Sequence, residues 1–312
     1  MNAAAKLGVY AAGLAVVFGG ALGLGSLAGP AEPPAKQPAE TTHGHSAPAE
    51  KTETKAAAAK NDTPGGLQVS QDGYTLTPVT TTVKPDAETD FRFTVTAPDG
   101  RPLTDYEVSH EKKLHFIVVS RDLGDFLHLH PVEAGNGEWS VKLNLPRPGA
   151  YRAFADFAPA GHKGLTLGVD LHAPGDYQPR PLPPAGITSE VDGYTVTLDG
   201  DLAPGKPARF TLSVAKDGKP VTDLEPYLGA FGHLVALRNG DLAYLHVHPD
   251  ESAKPGPDIT FHTEVPSAGD YRLFLDFKHE GEVRTADFTA QVVGAATPMT
   301  PQAESEAPGH EH

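Results

Sequence analysis

The sequence predicts an all-β protein: two tandem immunoglobulin-like β-sandwich domains, an internal duplication, carried behind an N-terminal transmembrane helix and a disordered linker. Three observations predict it. Short alternating runs such as Phe91-Arg92-Phe93-Thr94-Val95 and Trp139-Ser140-Val141-Lys142-Leu143 are separated by Gly, Pro, Asp or Asn, and no long stretch has a helical period. The chain repeats itself at an offset of 118 to 120 residues. An uncharged stretch of 23 residues, Leu7 to Gly29, stands ahead of both copies.

Taken in order, residues 1–29 are long enough for a bilayer core of about 30 Å. Lys6 and the terminal amine favour a cytoplasmic start and an outer C-terminal part. A small-x-small site at Ser26-Leu27-Ala28 offers the alternative of a cleaved signal peptide and a secreted chain. Residues 30–66 are Pro, Ala, Glu, Lys and Thr with almost nothing bulky and apolar, a composition that cannot offset its ordering entropy. This linker carries His43-Gly44-His45, and the similar tail over 294–312 carries His310-Glu311-His312; short His-rich tracts bind metals weakly.

The first sandwich is expected over 67–174 and the second over 187–293, joined by a proline-stiffened segment over 175–186. Asp72-Gly73-Tyr74-Thr75 returns as Asp192-Gly193-Tyr194-Thr195, and Tyr151-Arg152-Ala153-Phe154-Ala155-Asp156-Phe157 as Tyr271-Arg272-Leu273-Phe274-Leu275-Asp276-Phe277. Strands are expected near 74–79, 89–96, 113–119, 126–130, 138–145, 150–157 and 165–172, a count that suits an immunoglobulin-like sandwich.

Composition narrows the chemistry. With 40 Asp and Glu against 25 Lys and Arg, the net charge of -15 repels phosphate backbones, so nucleic acid is not an expected partner and cations are. The absence of cysteine removes disulfides, thiolate metal sites and a cysteine nucleophile.

The most informative residues are histidines. His115, His128 and His130 recur as His233, His246 and His248, each at an offset of 118. With Asn239-Gly240 as a two-residue hairpin turn, His233 faces His246, and His248 lies two residues along the same strand on the same face. Carried back to the first copy, His115 faces His128 with His130 beside it, and a slip of two residues would exchange partners without changing the face. Leu114, Phe116, Val118, Leu127 and Leu129 fill the opposite, core face.

Three neutral imidazoles on rigid strands suit Zn²⁺ or Cu²⁺. Cu⁺ suits less, since Met1 and Met299 are the only methionines. The alternative is that the rings pack as half-buried polar groups beside Ile117, Val119, Val235 and Leu237, at a contact between the two domains. Asp156 and Asp276 are accessory candidates as carboxylate ligands or imidazole partners, with a structural ion pair to Arg121 or Arg238 the competing role. His162 and His279 are further accessory candidates.

The segment Leu114-His115-Phe116-Ile117-Val118-Val119-Ser120-Arg121-Asp122, followed by His128-Leu129-His130-Pro131 and the Tyr-Arg-x-Phe-x-Asp-Phe strand, resembles envelope-anchored heavy-metal- or copper-associated proteins of high-GC Gram-positive bacteria with YtkA-like or immunoglobulin-like β domains. The resemblance implies extracytoplasmic metal handling, with a membrane metal transporter or another envelope protein as partner. An adhesion or scaffold protein with structural histidines is the alternative. A zinc hydrolase is the second alternative, and no enzyme is expected, because no acid or base recurs beside the histidine pairs.

Overall fold

The computed structural model describes residues 63–200, 202–245, 247–250 and 254–294, with only the backbone of His248. The expected anchor, most of the linker and the histidine-bearing tail lie outside the described residues, as does His246. In the first module the strands are β1 (Ser70–Gln71), β2 (Tyr74–Pro78), β3 (Thr89–Thr96), β4 (Leu114–Ser120), β5 (Phe126–Leu129), β6 (Val132–Gly135), β7 (Glu138–Leu143), β8 (Gly149–Phe157) and β9 (Leu165–Ala173). The second has β10 (Thr188–Val191), β11 (Tyr194–Asp199), β12 (Pro207–Lys216), β13 (Lys219–Pro220), β14 (Gly232–Arg238), β15 (Tyr244–Leu245), β16 (Val247–Pro249), β17 (Asp258–Glu264), β18 (Gly269–His279) and β19 (Glu282–Val292).

Each module is a sandwich of two antiparallel sheets. The orders are β1-β2-β3-β7-β6 over β5-β4-β8-β9, and β10-β11-β12-β17-β16 over β15-β14-β18-β19, with β13 added to β12. Alternation along the strands fills each core: Phe91 and Phe93 from β3 meet Phe116 from β4, with the Phe93 and Phe116 rings stacked at 4.7 Å. Tyr151 and Tyr271, near the starts of β8 and β18, each donate a hydroxyl to the carbonyl four residues back, on Arg147 and Ser267 at 2.9 Å. That is the tyrosine corner of immunoglobulin-like sandwiches, formed twice.

β4 is buried at all seven positions, and β14 at six of its seven. The core explains only every second residue. The other face is covered because the two inner sheets pack on one another: Ile117, Val119, Leu123 and Phe154 form one apolar cluster with Val235, Leu237, Leu242 and Phe274. The contact is reciprocal, as in an isologous dimer. Phe126 stacks on Phe274 at 4.1 Å, and its counterpart Tyr244 packs on Phe154 at 5.5 Å. Phe274→Ala is therefore expected to cost about 3–5 kcal/mol in urea denaturation, by opening a cavity between the modules.

Two loops differ from expectation, and for one reason. β4 pairs with β5 as Ile117↔His128, and β14 with β15 as Ala236↔Leu245. Both registers are thus two residues displaced from the predicted pairing of His115 with His128 and of His233 with His246. Asn239-Gly240 is not a two-residue turn: Arg238 bonds to Ala243 across a four-residue loop, and only Gly240 of that pair has positive φ. The extra residues bring Leu123 and Leu242, at φ 58 and 60, into the inter-module core with exposures of 1% and 0%. Burial there offsets a left-handed cost of roughly 1–2 kcal/mol.

The end of the linker is ordered, against expectation. Gly65 pairs with Tyr244, Gly66 donates to the Thr166 carbonyl at 2.7 Å, and the buried Arg152 donates to the Gly66 carbonyl at 2.8 Å. The joint between the modules is tied to the first one, with the Arg180 amide donating to Asp122 at 2.9 Å.

Candidate metal centre

β4 sets His115 on the face turned to the second module, and β5 followed by His130 brings two more imidazoles to the same place. The three rings offer one nitrogen each within 4.8 Å of one another. Their centroids are 5.4 Å (His115 to His128), 5.3 Å (His115 to His130) and 4.8 Å (His128 to His130) apart. A tetrahedral ion with Zn–N bonds of about 2.0–2.1 Å places imidazole centroids about 5 Å apart and their nitrogens about 3.3 Å apart. His115 Nδ1 and His128 Nε2 are 3.2 Å apart.

The outer nitrogens fix what the inner ones carry. His115 Nε2 faces the Ser109 carbonyl at 3.2 Å and must donate to it. His128 Nδ1 lies 2.7 Å from Asp276 Oδ2, and the other oxygen of that carboxylate accepts from the Thr285 hydroxyl at 2.6 Å. With Nε2–H on His115 and Nδ1–H on His128, two lone pairs face each other across 3.2 Å. That arrangement calls for a cation between them, a metal or a shared proton. Nε2 of His130 is buried with no hydrogen-bond partner, which a bound ion would relieve.

Burial, with the neighbouring imidazoles adding to it, depresses the His115 pKa to about 4 and that of His130 to about 3. Both are neutral, and so ligating, at pH 7.

Asp276 belongs to the second module, and its side chain and that of His128 are 5% and 6% exposed. It therefore holds a first-module imidazole by its back nitrogen, an arrangement that fixes ring orientation in metal sites. The alternative ion pairs do not form: Arg121 binds Asp170, and Arg238 binds Asp241. Asp276→Asn is expected to weaken metal binding about 10–100-fold, measured by competition with a chromophoric chelator. Asp156, at the matching position beside His115, accepts from the Thr166 hydroxyl and lines the cavity described next.

Of the second histidine set, His233 alone has its side chain among the described residues. His233, 8% exposed, donates Nε2–H to the Tyr227 carbonyl at 2.9 Å, and its ring stands 6.4 Å from His115 and 6.5 Å from His128. Burial depresses its pKa to about 4. The backbone of His248 pairs with His262 on β17 in the outer sheet, and the first module crosses in the same way, from β5 in the inner sheet to β6 beside β7. His162 and His279 are away from the cluster: the former packs on Tyr74, while the latter bonds to the Tyr194 hydroxyl at 2.7 Å and to Asp223.

Two residues are added by the structure. A cavity of ≈ 130 Å³ opens beside the triad, lined by Ser109, His110, His115, His128, Asp156 and His233. His110 is exposed, 6.2 Å from His115 and 5.0 Å from His233 between ring centroids. Tyr227 packs on His130 and His233 at 6.2 and 5.9 Å. Neither follows from the repeat, because the second copy has Leu228 where the first has His110.

No curated protein sequence matches this chain. Solved structures similar to it include FdeC, an Escherichia coli adhesin (14% identity, 72% of this chain and 65% of that one, TM-score 0.23). InvD of Yersinia pseudotuberculosis (12%, 74% and 62%, 0.24) and the D0–D1 domain of intimin (16%, 70% and 97%, 0.21) are others. The chain thus spans slightly less than two thirds of FdeC and of InvD. A domain of unknown function, DUF8832, matches residues 68–174 and again 189–294, and the chain belongs to that family, with two copies of its domain.

Proposed function

We propose that the protein is an extracytoplasmic binding protein for Zn²⁺ or Cu²⁺, holding the ion at one centre on the contact between its modules. His115, His128 and His130 are the ligands, and Asp276 of the second module orients His128. The observation that carries this reading is the pair of imidazole nitrogens at 3.2 Å whose protons are committed to a carbonyl and a carboxylate on their far sides. Membrane attachment through residues 1–29, or secretion after cleavage, places the modules outside the cell, where an envelope metal transporter is the fitting partner. The resemblance to copper-associated envelope proteins points the same way.

A tandem immunoglobulin-like adhesion or scaffold protein is the second reading. The apolar inter-module cluster favours it, because that contact stands without any ion. Isothermal calorimetry separates the two. The full chain with His43, His45, His310 and His312 changed to Asn is expected to take up Zn²⁺ or Cu²⁺ tightly, and to lose that uptake on adding His128→Ala and His130→Ala. Absent or equal uptake in both leaves the scaffold reading.

A further inference from the structure

His110 sits in a left-handed turn, at φ 49. Ser109 and Lys112 exchange both backbone hydrogen bonds across His110 and Glu111, whose φ values are 49 and 61. Left-handed φ at both central residues defines the hairpin turn that normally takes Asn-Gly. The second module builds the same turn from Leu228 and Gly229, at φ 54 and 79, with a glycine to ease it. The first module keeps a histidine and a glutamate there, and the result is to hold the His110 ring over the mouth of the cavity.

The ring it meets comes from the other module. His110 and His233 have centroids 5.0 Å apart, the spacing of two imidazoles on one tetrahedral ion. His233 donates through Nε2 to the Tyr227 carbonyl, which leaves Nδ1 as its lone-pair nitrogen. His110 is exposed whereas His115 and His233 are each 8% exposed, so of these three it is the one that solvent reaches readily. The cavity beside them is bounded by His110 and His233 and also by His115 and His128.

We propose that His110 and His233 form an outer, solvent-reached position for the divalent ion, from which it passes through the cavity to His115, His128 and His130. The proposal rests on the triad reading and adds to it a route of loading and release. An ion taken first by two imidazoles can exchange its remaining waters stepwise for the triad nitrogens, so the buried centre loads without the modules coming apart.

The test is stopped-flow uptake of Zn²⁺, and its release to EDTA, by the full chain with the four tail histidines changed to Asn. His110→Asn suits the left-handed turn, and the pair His110→Leu with Glu111→Gly reproduces the second module's turn, so both variants keep the fold. Each is expected to slow uptake and release alike by about tenfold, which leaves the equilibrium affinity within about threefold of the parent. Unchanged rates in both variants would overturn the outer position while leaving the triad intact. An affinity lost through faster release alone would overturn it too, since His110 would then be a ligand of the triad ion. No Zn²⁺ uptake by the parent would remove the triad reading and this proposal together.

Discussion

His128→Ala is expected to lower stability by about 3–5 kcal/mol and to abolish tight metal uptake, the largest effect of any single substitution in the centre. Truncation removes one ligand, and it strands the Asp276 carboxylate, 5% exposed, with the Thr285 hydroxyl as its remaining bonded partner. A buried charge left without its partner costs far more than the pair itself contributes. The link also crosses the module contact, so the change loosens the inter-module cluster near Phe126 and Phe274. Urea denaturation in the presence of a chelator measures the stability part alone. Adding Asp276→Ala is expected to restore part of the loss, and the double-mutant cycle then gives the coupling. A loss below about 1 kcal/mol for His128→Ala would show that the carboxylate is not stranded.

Acid is expected to unfold the metal-free protein from the histidine centre outward. The folded-state pKa values of His115 and His233 are about 4 and that of His130 about 3, all lowered first by burial. In the unfolded chain the same rings titrate near 6.5. A lowered histidine pKa means that the unfolded state binds more protons, so stability is fully present above about pH 6.5 and falls as the pH drops toward 4 and 3. Each unit of depression corresponds to about 1.4 kcal/mol, so the three rings together amount to several kcal/mol, less than their simple sum because they also repel one another. Thermal melts of the metal-free chain should therefore be flat from pH 7 to 8 and fall steeply between pH 6 and 4. Bound metal should hold the melting temperature up until protons compete for the nitrogens. A melting temperature independent of pH over that range would contradict the burial of these rings.

Much of this fold was legible because the sequence states it twice. Period-two runs located the seven main strands of the first module. Alternation along Leu114 to Val119 assigned Phe116 and Val118 to the core and His115 to the other face. That Ile117 and Val119 share the histidine face was legible only as one of two readings, a contact between the domains with Val235 and Leu237, and the structure has that contact. Such a run is read as buried on both sides only when a second sheet is known to cover it. The hairpin register failed for the same cause: Leu123 and Leu242 adopt left-handed conformations to reach a neighbour that lies far off in sequence. The triad was visible as His-x-His plus one cross-strand histidine. Asp276 was legible as a candidate imidazole partner, but not that it would hold His128 of the other module, 148 residues away. His110 was hidden by the very repeat that exposed the others.

The most direct measurement is an anomalous-scattering map at the zinc edge from crystals of the Zn²⁺-loaded protein. The account predicts a peak bounded by His115 Nδ1, His128 Nε2 and a ring nitrogen of His130, each at about 2.0–2.1 Å, with Asp276 still on His128 Nδ1. A map with no peak among these rings, or with zinc held solely by the terminal histidines, would contradict it.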